Sequence, residues 1–219
     1  MLKSFLTFCL MLLLVSPALA VEKDIYPYVG LTLGSTLTSV DRMSDSSGSL
    51  NTQFNPGYMA GLSAGLEFNS QIGWNIDKVR AEAEVGYRSS ELTSMNNTLG
   101  QSASMGGRVS VTNYMLNCYI ENTNILSSDM PVNIFLTAGV GAASASISSI
   151  SYQNAQLVKP SNSTQFAFQG GFGFSYELRE KIYLDAAYKY MGTTPFKFSG
   201  VKADYVSHNI LLGARYAFK

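Results

Sequence analysis

The stretch TQFAFQGGFGFSYE (residues 164–177) fits only one backbone. Phe166, Phe168, Phe172, Phe174 and Tyr176 recur at even positions, opposite Gln165, Gln169, Gly171, Gly173, Ser175 and Glu177. A helix would scatter those five aromatics around its circumference, whereas a strand gathers them on one face. The stretch VRAEAEVGYR (79–88) is less decided. Arg80, Glu84 and Arg88, four apart, would form a solvated ladder of ion pairs on a helix. On a strand, all four charges, Glu82 included, share one face, and Val79, Ala81, Ala83, Val85 and Tyr87 share the other.

The rest of the chain resolves the ambiguity. Period-two alternation also marks YVGLTLGSTL (28–37), YMAGLSAGLEF (58–68), YMLNCYI (114–120), VNIFLTAGVGAA (132–143), KIYLDAAYKYM (181–191) and SHNILLGARYAF (207–218). With the two stretches above, eight strand-like segments follow one another, and VRAEAEVGYR is the third. The breaks after the second, fourth and sixth are short, at about 69–77, 122–131 and 178–180. The others are rich in Ser, Asn and Gly, and four long loops are expected over 39–56, 90–107, 147–163 and 193–204. Long polar loops at one end and short turns at the other describe an eight-stranded antiparallel transmembrane β-barrel. An even strand count puts both chain ends on the short-turn side.

Alternation alone does not say which face meets water. The polar face carries Gly61, Gly65, Gly86, Gly139, Gly141, Gly171, Gly173 and Gly213, which suits a narrow lumen better than a solvated surface. The apolar face carries Tyr58, Phe68, Tyr87, Tyr114, Phe166, Tyr176, Tyr190, Tyr216 and Phe218 near segment ends, where interfacial girdles sit. The apolar face therefore points outward to lipid. Glu67, Arg80, Glu82, Glu84, Arg88, Glu121, Glu177, Asp185, Lys189 and Arg215 then all point into the lumen. Buried charges need partners, so Arg80 and Arg88 are expected to pair with inward acids and plug the interior. Glu67 and Glu121, on the flanking strands, are the natural cross-strand partners.

Residues 1–20 read as a secretory signal peptide: Lys3, the apolar run FLTFCLMLLLV, and Ala18-Leu19-Ala20 before the cut. No Cys follows Ala20, so no lipoprotein anchor is expected. Residues 21–219 form the barrel domain. Removing Lys3 with the leader leaves 14 basic against 15 acidic residues, which gives no support to nucleic-acid binding. Cys9 leaves too, so Cys118 has no intrachain disulfide partner. One Cys and one His cannot build a Cys/His metal cluster, and neither a metal nor a cofactor is expected.

From residue 25 to 218 the chain resembles the eight-stranded OmpA-like, opacity-type outer-membrane proteins, a family that includes major surface antigens of Gram-negative bacteria. The resemblance is carried by YVGLTLG, VRAEAEVGYR, MLNCYIE, FLTAGVGAA, FAFQGGFGFSYEL, KIYLDAAYKYMGT and HNILLGARYAF, in that order. It implies outer-membrane lipid and lipopolysaccharide as surroundings, assembly machinery acting on the C-terminal strand, and a host or envelope partner at the loops. It carries no shared catalytic site. One departure is Lys219, which follows Phe218 where the family ends on Phe.

His208 is the residue to weigh for catalysis. A lipid-facing Ser/His pair needs both partners on one face, yet Ser207 and Asn209 point the other way from His208. An interfacial histidine near the outer rim is the simpler reading. AGVGAA and GGFGFS open no helix, so neither is a phosphate loop. Two functions remain: a structural surface protein of antigen or adhesin type without catalytic activity, and a narrow channel for ions or small solutes.

Overall fold

The computed structural model describes residues 25–45, 48–72, 76–96, 102–122, 132–147, 150–152, 155–158, 161–198 and 201–219. The proposed signal peptide lies outside them. The strands are β1 (Ile25–Asp45), β2 (Gly48–Phe54), β3 (Gly57–Ile72), β4 (Ile76–Asn96), β5 (Ser102–Asn122), β6 (Val132–Ile147), β7 (Ile150–Tyr152), β8 (Ala155–Val158), β9 (Ser161–Arg179), β10 (Ile182–Thr193), β11 (Phe196–Phe198), β12 (Val201–Ala203) and β13 (Val206–Ala217). No helix occurs among the described residues.

Eight of these are the staves of a closed barrel. β1 pairs with β3, β3 with β4, β4 with β5, β5 with β6, β6 with β9, β9 with β10, and β10 with β13, all antiparallel. β13 returns to β1 from Tyr28↔Ala217 to Ser39↔Val206, so the first and last staves close the ring. Closure satisfies the backbone of every stave on both edges, which a bilayer core demands.

The stretch 79–88 lies within β4, as a strand. Its pleat sends Arg80, Glu82, Glu84 and Arg88 into the lumen, where all four are buried, and leaves Ala81 and Tyr87 exposed. The apolar face is outside: Leu212 is 69% exposed, Ile210 67% and Leu62 65%, with Phe166, Phe168, Phe172, Phe174 and Tyr176 exposed along β9.

The expected long loops take a different form. β4 and β5 each run 21 residues, about twice the 9–11 that a tilted strand needs to cross a bilayer. The ladder continues through Ser94↔Ser104 to Asn96↔Ser102, β2 folds back on β1 at Asp45↔Gly48, and β11 pairs with β12. Most of the Ser- and Asn-rich stretches are therefore hairpin extensions of the staves. Pairing satisfies the backbone groups of these stretches.

Candidate functional site

The lumen is where the sequence concentrates its chemistry. β4 supplies Lys78, Arg80, Glu82, Glu84 and Arg88 at every second position or its multiple. Glu67 comes from β3, Glu121 and Tyr119 from β5, Asp185 and Lys189 from β10, and Arg215 from β13.

A knot of charges fills the end near the chain termini. Arg80 Nε lies 2.5 Å from Glu121 Oε1, an ion pair without hydrogen-bond alignment. The Arg80 guanidinium also stacks 4.1 Å from the Tyr119 ring and 5.4 Å from that of Phe135. Arg215 reaches three carboxylates: Asp185 at 2.7 Å, Glu67 at 3.4 Å and Glu121 at 3.6 Å. Arg215 Nη2 also donates to Ser175 Oγ at 2.9 Å. Lys78 approaches the other Glu67 oxygen at 3.4 Å.

The middle layer is built on two carboxylates. Glu84 accepts from Lys189 at 2.8 Å, from Asn117 at 3.0 Å and from Gln169 at 3.3 Å. Glu82 makes no direct ion pair among the described residues; Tyr119, Tyr28 and Asn117 donate to it at 2.7, 3.0 and 3.2 Å. Tyr119 accepts in turn from Lys189 at 3.0 Å, which ties the two carboxylates together. Beside this layer is a cavity of about 30 Å³, lined by residues including Ser63, Arg80, Glu82, Asp185, Lys189 and Arg215. That is room for one or two waters. Nearer the hairpins, Val111, Met115, Ala143, Ala145, Ala167, Met191, Phe196 and Tyr205 form an apolar cap.

Three expectations need correcting. Arg88 has no carboxylate partner among the described residues; its Nε and Nη1 donate to Asn209 Oδ1 and Asn113 Oδ1 at 3.1 and 2.8 Å. Glu84, the nearest inward-facing acid on its own strand, is taken by Lys189 from across the barrel. Glu82 is held by neutral donors instead of an arginine. Glu177 sits half-exposed, apart from the ion pairs.

Lys78 was missed, although it shares the parity of Arg80 and stands just ahead of the stretch that drew attention. So were the lumenal rings of Tyr28, Phe135 and Tyr183, all buried. Lys219 also turns inward, its Nζ donating to Tyr183 Oη at 2.5 Å, while Phe218 stays exposed outside.

His208 lies on the outer face, with Nδ1 2.6 Å from the Tyr188 hydroxyl and its ring centroid 5.5 Å from that of Tyr190. Its same-face neighbours are thus aromatic. No group of three or more metal-ligating side chains occurs among the described residues.

Charges indoors and large apolar side chains outdoors, on a closed antiparallel ring, define a membrane-spanning β-barrel. The chain belongs to the outer membrane protein beta-barrel domain family, whose model matches residues 6–218, and its setting is the bacterial outer membrane. It is related to major surface antigen 4 of Anaplasma marginale, at 28% identity over 74% of this chain and 66% of that protein. The chain thus spans just under two thirds of that relative's length. Its fold is that of neisserial surface protein A, with a TM-score of 0.53, 21% identity, and coverage of 88% of this chain and 97% of that one. A further solved barrel, OprG of Pseudomonas aeruginosa, aligns with a TM-score of 0.49 and 11% identity over 89% of this chain and 96% of that one.

Proposed function

We propose that this is a non-enzymatic structural surface protein of antigen or adhesin type, with a plugged lumen and hairpin extensions that meet a host or envelope partner. The observation that carries the reading is the Arg80–Glu121 contact, both side chains 1% exposed, beside a lumenal cavity of about 30 Å³ that holds no more than a water or two. An eight-stranded barrel leaves room for side chains and little else. What remains available for function is the outer end, where β1, β4 and β5, each about twice the needed length, project from the membrane. The relationship to a protein named as a surface antigen supports the same reading.

In this reading residues 1–20 direct export and are removed, lipopolysaccharide surrounds the outer half, and assembly machinery engages the C-terminal strand despite Lys219. The inward turn of Lys219 supports that last point, because Phe218 is left on the lipid side as the last outward residue.

The competing function is a narrow channel. Conductance of the purified barrel in planar bilayers separates the two. A silent barrel that becomes leaky on Arg80→Ala supports the plug, whereas steady conductance by the unmodified protein overturns it.

A further inference from the structure

The lumenal charges balance in number but not in place. Inside the mouth, where Lys219 and Glu177 stand, five cations, Lys78, Arg80, Arg88, Lys189 and Arg215, face five carboxylates, Glu67, Glu82, Glu84, Glu121 and Asp185. Every ion pair inside the lumen leaves out two of these groups, Arg88 and Glu82. They cannot compensate one another. Six residues of β4 separate them, roughly 20 Å at about 3.3 Å per residue, where attraction between unit charges is weak.

Arg88 is the more exacting case, because a guanidinium stays charged. It is 1% exposed, and Nη2 has no partner among the described residues. Its other donors are spent on neutral acceptors: Asn209, Asn113 and the Met191 sulfur at 2.8 Å. Asn113 passes one link on to Glu84 at 3.4 Å, but Lys189 already occupies that carboxylate. Of the apolar cap, Met191 brings its sulfur to the guanidinium and Val111 stands opposite Arg88 in the β4–β5 ladder. A second unspent donor lies at the same level. The Thr36 hydroxyl, fully buried and without a partner among the described residues, stands opposite Asn209 in the β1–β13 ladder.

A buried charge with no counter-charge in direct contact is costly for a protein to hold, and water supplies hydrogen bonds without neutralising it. We propose that the outer third of the lumen binds one small monovalent anion of the halide class at Arg88, beneath the cap formed by Phe196 and Tyr205. The anion takes the free Nη2 donors and the Thr36 hydroxyl, and places a negative charge in direct contact with the guanidinium, where the side chains bonded to it are neutral. This goes beyond the surface role proposed above and does not depend on it.

The test uses the full barrel refolded in detergent micelles. Its thermal unfolding midpoint is followed as sodium chloride replaces sodium gluconate at constant ionic strength. The midpoint should rise with chloride in the unmodified protein and lose that dependence in Arg88→Met. An equal response in both proteins, or none in the unmodified one, overturns the proposal. If Arg88→Met does not refold, diffraction from crystals of the unmodified barrel grown in bromide decides. An anomalous peak within hydrogen-bonding reach of Arg88 Nη2 sustains the site, and its absence there removes it.

Discussion

Arg80 and Glu121 meet at 2.5 Å diagonally across the β4–β5 ladder, two residues out of register, since Arg80 stands opposite Tyr119 and Glu121 opposite Lys78. Truncating Arg80 takes from Glu121 its nearest counter-charge and leaves it only Arg215 at 3.6 Å, so Arg80→Ala should cost about 3 kcal/mol, the lower end for a broken buried pair. Urea titration of the barrel in lipid vesicles measures it. Arg80→Met combined with Glu121→Leu should cost less than Arg80→Ala alone, because no charge is left behind. A double variant weaker than the single one would mean that the pair is not what holds this layer.

The outer face should penalise charge by depth. Leu62 and Tyr58 lie four residues apart on β3 with the same outward parity, Tyr58 nearer the rim. Leu62→Arg should destabilise by about 2–4 kcal/mol and Tyr58→Arg by about 0–1 kcal/mol. Equal costs in vesicle unfolding would contradict a lipid-facing surface. Arg at Gln169 offers no cheap contrast, as parity alone would suggest, because Gln169 is buried with its amide on Glu84 and Asn117.

The lumenal glycines should divide by the space beside them. A Cβ on Gly141 would stand 2.0 Å from the Tyr114 carbonyl oxygen and 2.9 Å from the Met115 sulfur, so the ladder must shift to admit it. Gly141→Ala should cost about 1–3 kcal/mol. At Gly61 the nearest atom is 3.5 Å away, and Gly61→Ala should fall within about half a kcal/mol of the parent. The difference between the two melting midpoints checks this.

Topology is open to thiol labelling. The Cys118 side chain is exposed on the outward face, where acyl chains shield it from a water-soluble maleimide. Ser104→Cys, at the outer end of β5, should therefore label in intact cells against a dark background. Reaction only after lysis would reverse the orientation assigned to the hairpins.

What the sequence made legible was parity. From Glu67 to Arg215, nine of the ten charges assigned to the lumen are drawn inside, because a period of two leaves a side chain only two directions. Pairing across the ring was not legible. Arg88 finds Asn209, 121 residues away, only because closure and the tilt of the staves bring β4 and β13 within reach. Lys189 reaches Glu84 across the barrel for the same reason. Polarity also misled over the loops, since Ser and Asn describe solvent on both faces and do not distinguish a hairpin from a coil.

Placing every second residue indoors also governs how such a chain can travel. Mean hydropathy is only +0.08, and the apolar positions of β4 or β10 never form an unbroken run. Membranes capture helices by reading about twenty consecutive apolar residues, and a strand of alternating character gives them nothing to read. The greasy exterior is therefore a property of the finished ring and not of the thread. It comes into being when Val29 settles opposite Tyr216 and the seam shuts, which makes the site of closure, and not the composition of any segment, the point at which the molecule commits to lipid.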